Sequence, residues 1–249
     1  NDIVAYYPLD GSSEVKGLSF DGVDDYIDTG TGLGTSLGDG YTGDLTFSFW
    51  IKFAQFNVNA NRGIFAFINT TGNNNSDIVI AMTLAGSTLN VRKEGSTIVQ
   101  YMTNVDNILG SGWNHIAMIY KAGSNDDTVF INGTLRSAIN ISSFPSSVDL
   151  SGKRFDLGRY RLSELESSMS SFAVYNTAKS AEEIKTIYDN GIGGDELSNS
   201  GLVGYWKLDN ATTVTDLSGN GNNGTVNGGA TLISAGTTDS VGNNDGGLL

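Results

Sequence analysis

The chain has 249 residues, 39% of them hydrophobic, with 33 glycines, 2 prolines, no cysteine and a formal net charge of −13. The lack of cysteine excludes a disulfide framework and thiolate metal sites. The acidic balance argues against nucleic acid, which needs a Lys/Arg surface, and no stretch approaches the roughly 20 apolar residues of a membrane-spanning helix.

Glycine stands at nearly twice the ~7% of ordinary domains, and with abundant Asn, Ser and Thr it predicts tight turns between short strands. The start, Asn1-Asp2-Ile3, has neither a basic nor an apolar leader region, so the chain is expected to be either not exported by that route or already processed; the composition favours a mature protein outside a cell or on a particle surface. The opening phrase Ile3-Val4-Ala5-Tyr6-Tyr7-Pro8-Leu9-Asp10 returns near the other end as Leu202-Val203-Gly204-Tyr205-Trp206-Lys207-Leu208-Asp209.

Along the chain, Leu45, Phe47, Phe49, Ile51 and Phe53 alternate with other residues, the period of a half-buried strand. Ile64–Ile68, Ile78–Leu84, Thr88–Arg92, Ile98–Met102, Trp113–Lys121, Thr128–Ile131 and Phe172–Tyr175 read likewise, separated by Gly, Asn and Asp clusters. Asn132-Gly133 suits a two-residue hairpin turn, because type I′ needs positive φ at both positions. The serine-rich stretch Leu162–Ser171 reads as a loop. Ser180-Ala181-Glu182-Glu183 is a capping box opening a short helix near 180–190, with Ile184, Ile187 and Tyr188 as its apolar stripe and Gly191 as its stop. A polar linker at 193–201 follows, and then the returned phrase and a Gly-rich stretch to Leu249.

These segments carry a family resemblance in their order. Leu18-Ser19-Phe20-Asp21-Gly22-Val23-Asp24-Asp25-Tyr26-Ile27 comes first. Trp113-Asn114-His115-Ile116-Ala117 follows, with Val129–Gly133 behind it. Phe155-Asp156-Leu157-Gly158, Ala173-Val174-Tyr175-Asn176 and Ser180–Ile184 complete the set. The set resembles the laminin-G-like domain of the concanavalin A-like lectin/glucanase superfamily over about residues 3–192. It implies an all-β fold, an antiparallel two-sheet jelly-roll β-sandwich with one short α-helix. The family's acidic residue before the Val174-Tyr175-Asn176 strand is missing, with Ser168, Ser170 and Ser171 there instead. The domain reading is a sandwich over 1–192, a linker over 193–201, and a 202–249 segment completing a sandwich in cis or in a neighbouring chain.

Little here suggests catalysis. His115, the single histidine, lies on a strand and reads as packed. Glu164 and Glu166 have a spacing compatible with paired-carboxylate chemistry, yet read as surface, and the glucanases' Glu-x-Asp-x-x-Glu run is absent. Trp50, Trp113 and Trp206 fall in strands and read as core; Tyr41, Tyr101 and Tyr160 are the aromatic alternatives for a sugar platform. Calcium is the sharper expectation. Asp216, Ser218, Asn220 and Asn222 offer oxygens at positions 1, 3, 5 and 7 of an EF-hand-like loop, with Gly221 at position 6 and no acid at position 12. A plain Asn/Gly turn is the competing reading, and Asp21, Asp24 and Asp25 form a second acidic cluster that could join it.

Two functions follow. One is a non-catalytic structural or adhesive subunit on an extracellular, cell or virion surface. Its assembly strand, with Val203, Tyr205, Trp206 and Leu208, would pair with other copies of the chain. The other is a calcium-stabilised lectin-like carbohydrate-binding module for surface glycans.

Overall fold

The computed structural model describes residues 13–54, 61–69, 78–93, 100–102, 109–122, 127–136, 139–140, 147–194 and 199–238. The opening phrase at 3–10 lies outside the described residues. The first elements are Ser13–Asp21 (β1), Tyr26–Asp28 (β2), the helix Gly32–Leu37 (α1), Leu45–Phe53 (β3), Asn61–Ile68 (β4), Ile78–Ala85 (β5), Thr88–Lys93 (β6) and Gln100–Met102 (β7). Then come Asn114–Tyr120 (β8), Thr128–Ile131 (β9), Thr134–Arg136 (β10), Ile139–Asn140 (β11), Arg154–Leu157 (β12), Arg159–Tyr160 (β13), Ser163–Glu164 (β14), Glu166–Tyr175 (β15) and the helix Ala181–Asp189 (α2). The C-terminal segment supplies Leu202–Trp206 (β16), Thr213–Val214 (β17), Gly224–Asn227 (β18) and Thr231–Thr238 (β19).

The strands form two large antiparallel sheets of a jelly-roll sandwich, with β13 and β14 paired apart as a small hairpin. One has the order β10-β9-β8-β3-β15-β1-β19, with β16 also on β15; the other runs β11-β7-β6-β5-β4-β12-β2-β18-β17. The alternating side chains of β3 supply the reason for the inner layer. Leu45, Phe47, Phe49, Ile51 and Phe53 all enter one core cluster with Phe65, Phe67, Phe155, Phe172 and Trp206. The rings interlock, Phe47 on Phe65 at 4.5 Å, Phe67 on Phe155 at 4.6 Å and Phe49 on Phe172 at 5.0 Å. Each buried aromatic removes a large apolar area from water, and offset or edge contacts add to that.

Three sequence expectations change. β3 is buried on both faces rather than one, since Thr46, Ser48 and Trp50 are buried as well. Part of the cause is α2, whose Tyr188 stacks on Trp50 at 5.7 Å while Ile184 and Ile187 pack on Ala117, Ile119, Phe130, Ala173 and Tyr175 of the flanking strands. The stretch Leu162–Ser171 is not a loop from Glu166 onward but the first half of β15, paired with β1 on one side and β3 on the other. Ser167, Ser170 and Ser171 are buried and Ser168 half-buried, and Ser170 donates its hydroxyl to the Lys16 carbonyl at 2.8 Å, so that polar side chain is satisfied inside. The helix α1 is additional to the expected one; six residues are too few to show a 3.6-residue period.

The local signals near 180 and 132 hold. Ser180 accepts from the Glu183 amide while Glu183 accepts from the Ser180 amide, closing the capping box. Asn132 and Gly133 have φ of 50° and 70°, the positive values a I′ turn needs.

The C-terminal segment lies on its own chain's sheets. In β16, Trp206 stands opposite Phe172 and Tyr205 opposite Ala173. Further on, β18 pairs with β2 and β19 with β1. The segment therefore contributes strands to both layers. Among the described residues no helix is long and apolar enough to cross a membrane.

Candidate functional site

The EF-hand-like loop closes on itself. Asp216 is buried, and its Oδ1 accepts from the amides of Tyr205 (3.0 Å) and Ser218 (2.9 Å) while Oδ2 accepts from the Asn222 amide (2.9 Å). Three of its roughly four acceptor positions are thus taken by main-chain N–H groups. Ser218 accepts from the Asn220 side chain, and both Asn220 and Asn222 donate their side-chain amides to the Val203 carbonyl at 3.3 Å. The Asp216 carboxylate and the side-chain amide nitrogens of Asn220 and Asn222 thus hold the loop together and tie it to the strand β16. The arrangement is a latch between the loop and Val203, Tyr205 and Trp206.

The second acidic set behaves differently. Asp21, Asp24 and Asp25 bring one carboxylate oxygen each within 4.8 Å of one another, with Asp21 and Asp24 exposed and Asp25 buried. The turn forms because the Asp21 amide donates to Asp25 Oδ2 at 2.8 Å and the Val23 amide to Asp21 Oδ1 at 2.8 Å. Burial pushes the Asp25 carboxyl above the usual carboxylate range. The Asp21 amide opposes this shift, and the charges of Asp21 and Asp24 add to it. Gly228 packs against the turn with φ of +85°; a Cβ there would meet the Asp24 carbonyl and stand 2.6 Å from Asp25 Oδ1.

The two acidic sets do not meet. Asp21 lies opposite Glu166 on β15, while the strand latched by Asp216 lies opposite Phe172–Tyr175. Six residues of extended chain, about 20 Å, separate the two positions.

Around the triad other strands supply charge. Arg62 of β4 donates to the Gly22 carbonyl (3.0 Å) and to Glu166 (2.7 Å), which fixes the turn that carries Val23, an exposed apolar side chain. β2 runs on from Asp25 and, with Ile27 pointing into the core, turns Tyr26 and Asp28 outward. There Asp156, buried, accepts from Arg154 (2.8 Å) and Arg159 (2.8 Å), and the Arg159 guanidinium lies 3.3 Å from the centre of the Tyr26 ring. The result is an acidic turn continuous with a row of paired charges and one aromatic ring.

The triad fits a hard cation. It offers carboxylate oxygens alone, clustered and mutually repelling, which is the donor set calcium takes. Asp21 and Asp24 fall where the sequence places an acidic cluster. Arg62, Tyr26, Arg154, Asp156 and Arg159 were not singled out, although Arg154 and Asp156, two apart on a strand, must share a face. His115 is fully buried, its Nε2 2.8 Å from the Ser48 hydroxyl, with burial lowering its pKa to about 3. Glu166 is engaged by Arg62, and Glu164 sits in the β13–β14 hairpin. Tyr160 is buried and Tyr41 half-buried; the side chain of Tyr101 lies outside the described residues.

No curated protein matches the chain in sequence. Among solved structures, a proposed carbohydrate-binding protein from Bacteroides ovatus shares 20% identity at a TM-score of 0.60, over 89% of this chain and 60% of that one. A heptameric SAP-like pentraxin from Limulus polyphemus shares 12% identity at a TM-score of 0.59, over 89% of this chain and 96% of that one. The botulinum neurotoxin serotype D binding domain shares 15% identity at 0.51, over 72% of this chain and 44% of that one. At such identities the likeness is one of fold. The chain spans less than two-thirds of the first and third of these proteins. The family model of the concanavalin A-like lectin/glucanases superfamily matches residues 21–185, from the acidic turn to α2, and the chain belongs to that superfamily.

Proposed function

We propose that the protein is a non-catalytic, lectin-like carbohydrate-binding module acting outside the cell, with calcium held at the Asp21-Asp24-Asp25 turn. The observation that carries this reading is the triad of carboxylates within 4.8 Å at an exposed end of the sandwich. Calcium takes six to eight oxygens, and three carboxylates leave positions open for sugar hydroxyls. Chain residues supply the rest of the recognition: Tyr26 offers a ring, Val23 an exposed apolar contact, Asp28 of β2 a carboxylate and Arg159 of β13 a guanidinium. The family membership and the Bacteroides ovatus relative, itself a proposed carbohydrate binder, support the ligand class. A glycan array probed with calcium and with chelator tests it. Sugar binding that needs calcium and is lost in Asp24→Asn supports the reading; binding indifferent to both contradicts it.

The repeated phrase favours a second reading, a structural or adhesive subunit of a filament, envelope or virion. Electron microscopy of the purified protein tests it: ordered polymers support assembly, and single particles at high concentration contradict it.

A further inference from the structure

The strip of β15 from Phe172 to Tyr175 is a strand-docking site, held in the structure by β16. What seats there is specified side chain by side chain. Tyr205 is buried beneath α2, Trp206 and Leu208 are fully buried, and Lys207, past the end of the paired strand, is exposed. The phrase Ile3–Asp10 matches this specification position for position. Tyr6 stands for Tyr205, Tyr7 for Trp206, Leu9 for Leu208, and Pro8 falls at the exposed Lys207 position, where no ladder bond is lost.

One pair of differences fits the slot as a unit. A Cβ on Gly204 would lie 2.6 Å from Trp206 Cη2 and 3.0 Å from Cζ3, both in the indole's six-membered ring. The first phrase has Ala5 at that place, and it has Tyr7, without an indole, where Trp206 stands. The added methyl comes with the smaller ring that makes room for it.

The geometry also allows the first phrase to reach. β1 and β16 are both antiparallel to β15, opposite Leu18↔Met169 and Trp206↔Phe172, so they run in the same direction along one edge. The start of β1 and the end of β16 lie side by side: Glu14, Val15 and Lys16 share a pocket of about 270 Å³ with Lys207 and Asp209. Only Gly11, Ser12 and Ser13 separate Asp10 from Glu14 in sequence, and those four steps reach about 13 Å when extended.

We propose that Ile3–Asp10 is a second occupant of the β15 strip, competing with β16 within one chain. The resident's advantage lies in the Trp206 indole N–H to the Asn222 carbonyl, which the first phrase lacks, and in the Asp216 loop that follows β16 in the chain and accepts from the Tyr205 amide. Exchange releases β16 and its latch while the sheet edge stays covered. The inference is independent of the sugar-binding reading.

The chain has no cysteine of its own, so disulfide trapping in the full chain tests the exchange directly. By the match, Ala5 would stand opposite Val174, as Gly204 does. Oxidation of Ala5→Cys/Val174→Cys should give an intrachain disulfide about tenfold faster than Ala5→Cys/Leu135→Cys, whose second site is on the far edge strand β10, because seating raises the effective concentration. Adding Trp206→Tyr, which removes the resident's indole bond, should raise the rate further. If Val174→Cys does not fold, Tyr6→Cys/Ala173→Cys replaces it. A rate equal to the control, a disulfide only between chains, or no response to Trp206→Tyr would each overturn the proposal.

Discussion

Trp206 donates its indole N–H to the main-chain carbonyl of Asn222 across 2.7 Å, inside the core and away from water. The bond ties β16 to the loop that follows it, and the ring at the same time packs 5.9 Å from Phe155 and 6.4 Å from Phe172. One residue therefore joins the C-terminal segment to both sheets. Trp206→Ala should lower unfolding free energy by about 3–5 kcal/mol, the usual cost of truncating a large buried ring. Chemical denaturation checks this; a loss under about 1 kcal/mol would mean that the segment contributes little.

Asp216 provides a second test of the latch. Replacing it with Ala leaves three main-chain N–H groups without their acceptor, each costing about 1–3 kcal/mol where burial keeps water out. The loss in thermal stability should be the same in calcium and in EDTA. A loss seen only with calcium present would instead point to metal held in this loop.

His115 gives a pH signature. Its folded pKa of about 3 is depressed by burial below the ordinary value of 6.5, so the unfolded chain takes up a proton that the folded one refuses. Stability from this group is present above pH 6.5 and falls as the pH drops toward 3. The loss should be about 2 kcal/mol between pH 7.5 and pH 5. Because it is the single histidine, its imidazole NMR signals are assigned at once. They should not titrate down to pH 4, and a midpoint near 6.5 would contradict the burial.

Asp25 predicts opposite signs with and without calcium. Its carboxyl is raised by burial and by its acidic neighbours, so without metal its contribution to stability is lost as the pH rises through the folded pKa. In EDTA at neutral pH, Asp25→Asn should raise the melting temperature. With calcium the wild type should gain about 2.7 kcal/mol at a hundredfold excess over Kd, and the variant should gain less. Scanning calorimetry in both buffers reads the two signs.

Much of the sandwich is legible in the sequence where a physical period is strong. The alternation Leu45-Phe47-Phe49-Ile51-Phe53 names the inner face of β3, and Ser180 with Glu183 names the start of α2. What covers the outer face of β3 is not legible, since α2 arrives there only through tertiary packing. Buried serines in β15 look like loop residues because polarity, rather than neighbours on both sides, is what a sequence displays. Of the candidate site, the three adjacent aspartates can be read directly. Their neighbours come from other strands, Arg62 on the Gly22 carbonyl, Glu166 opposite Asp21 and Arg159 over Tyr26, and only the strand register brings them together.

The most direct test of the calcium-dependent lectin reading is a glycan array on the full chain, run in calcium, in EDTA, and with Asp21→Asn/Asp24→Asn. The account predicts defined sugar binding in calcium that disappears in EDTA and in the variant while the fold, followed by circular dichroism, stays intact. Sugar binding that survives both treatments, or a calcium-saturated protein that binds no glycan, would contradict it.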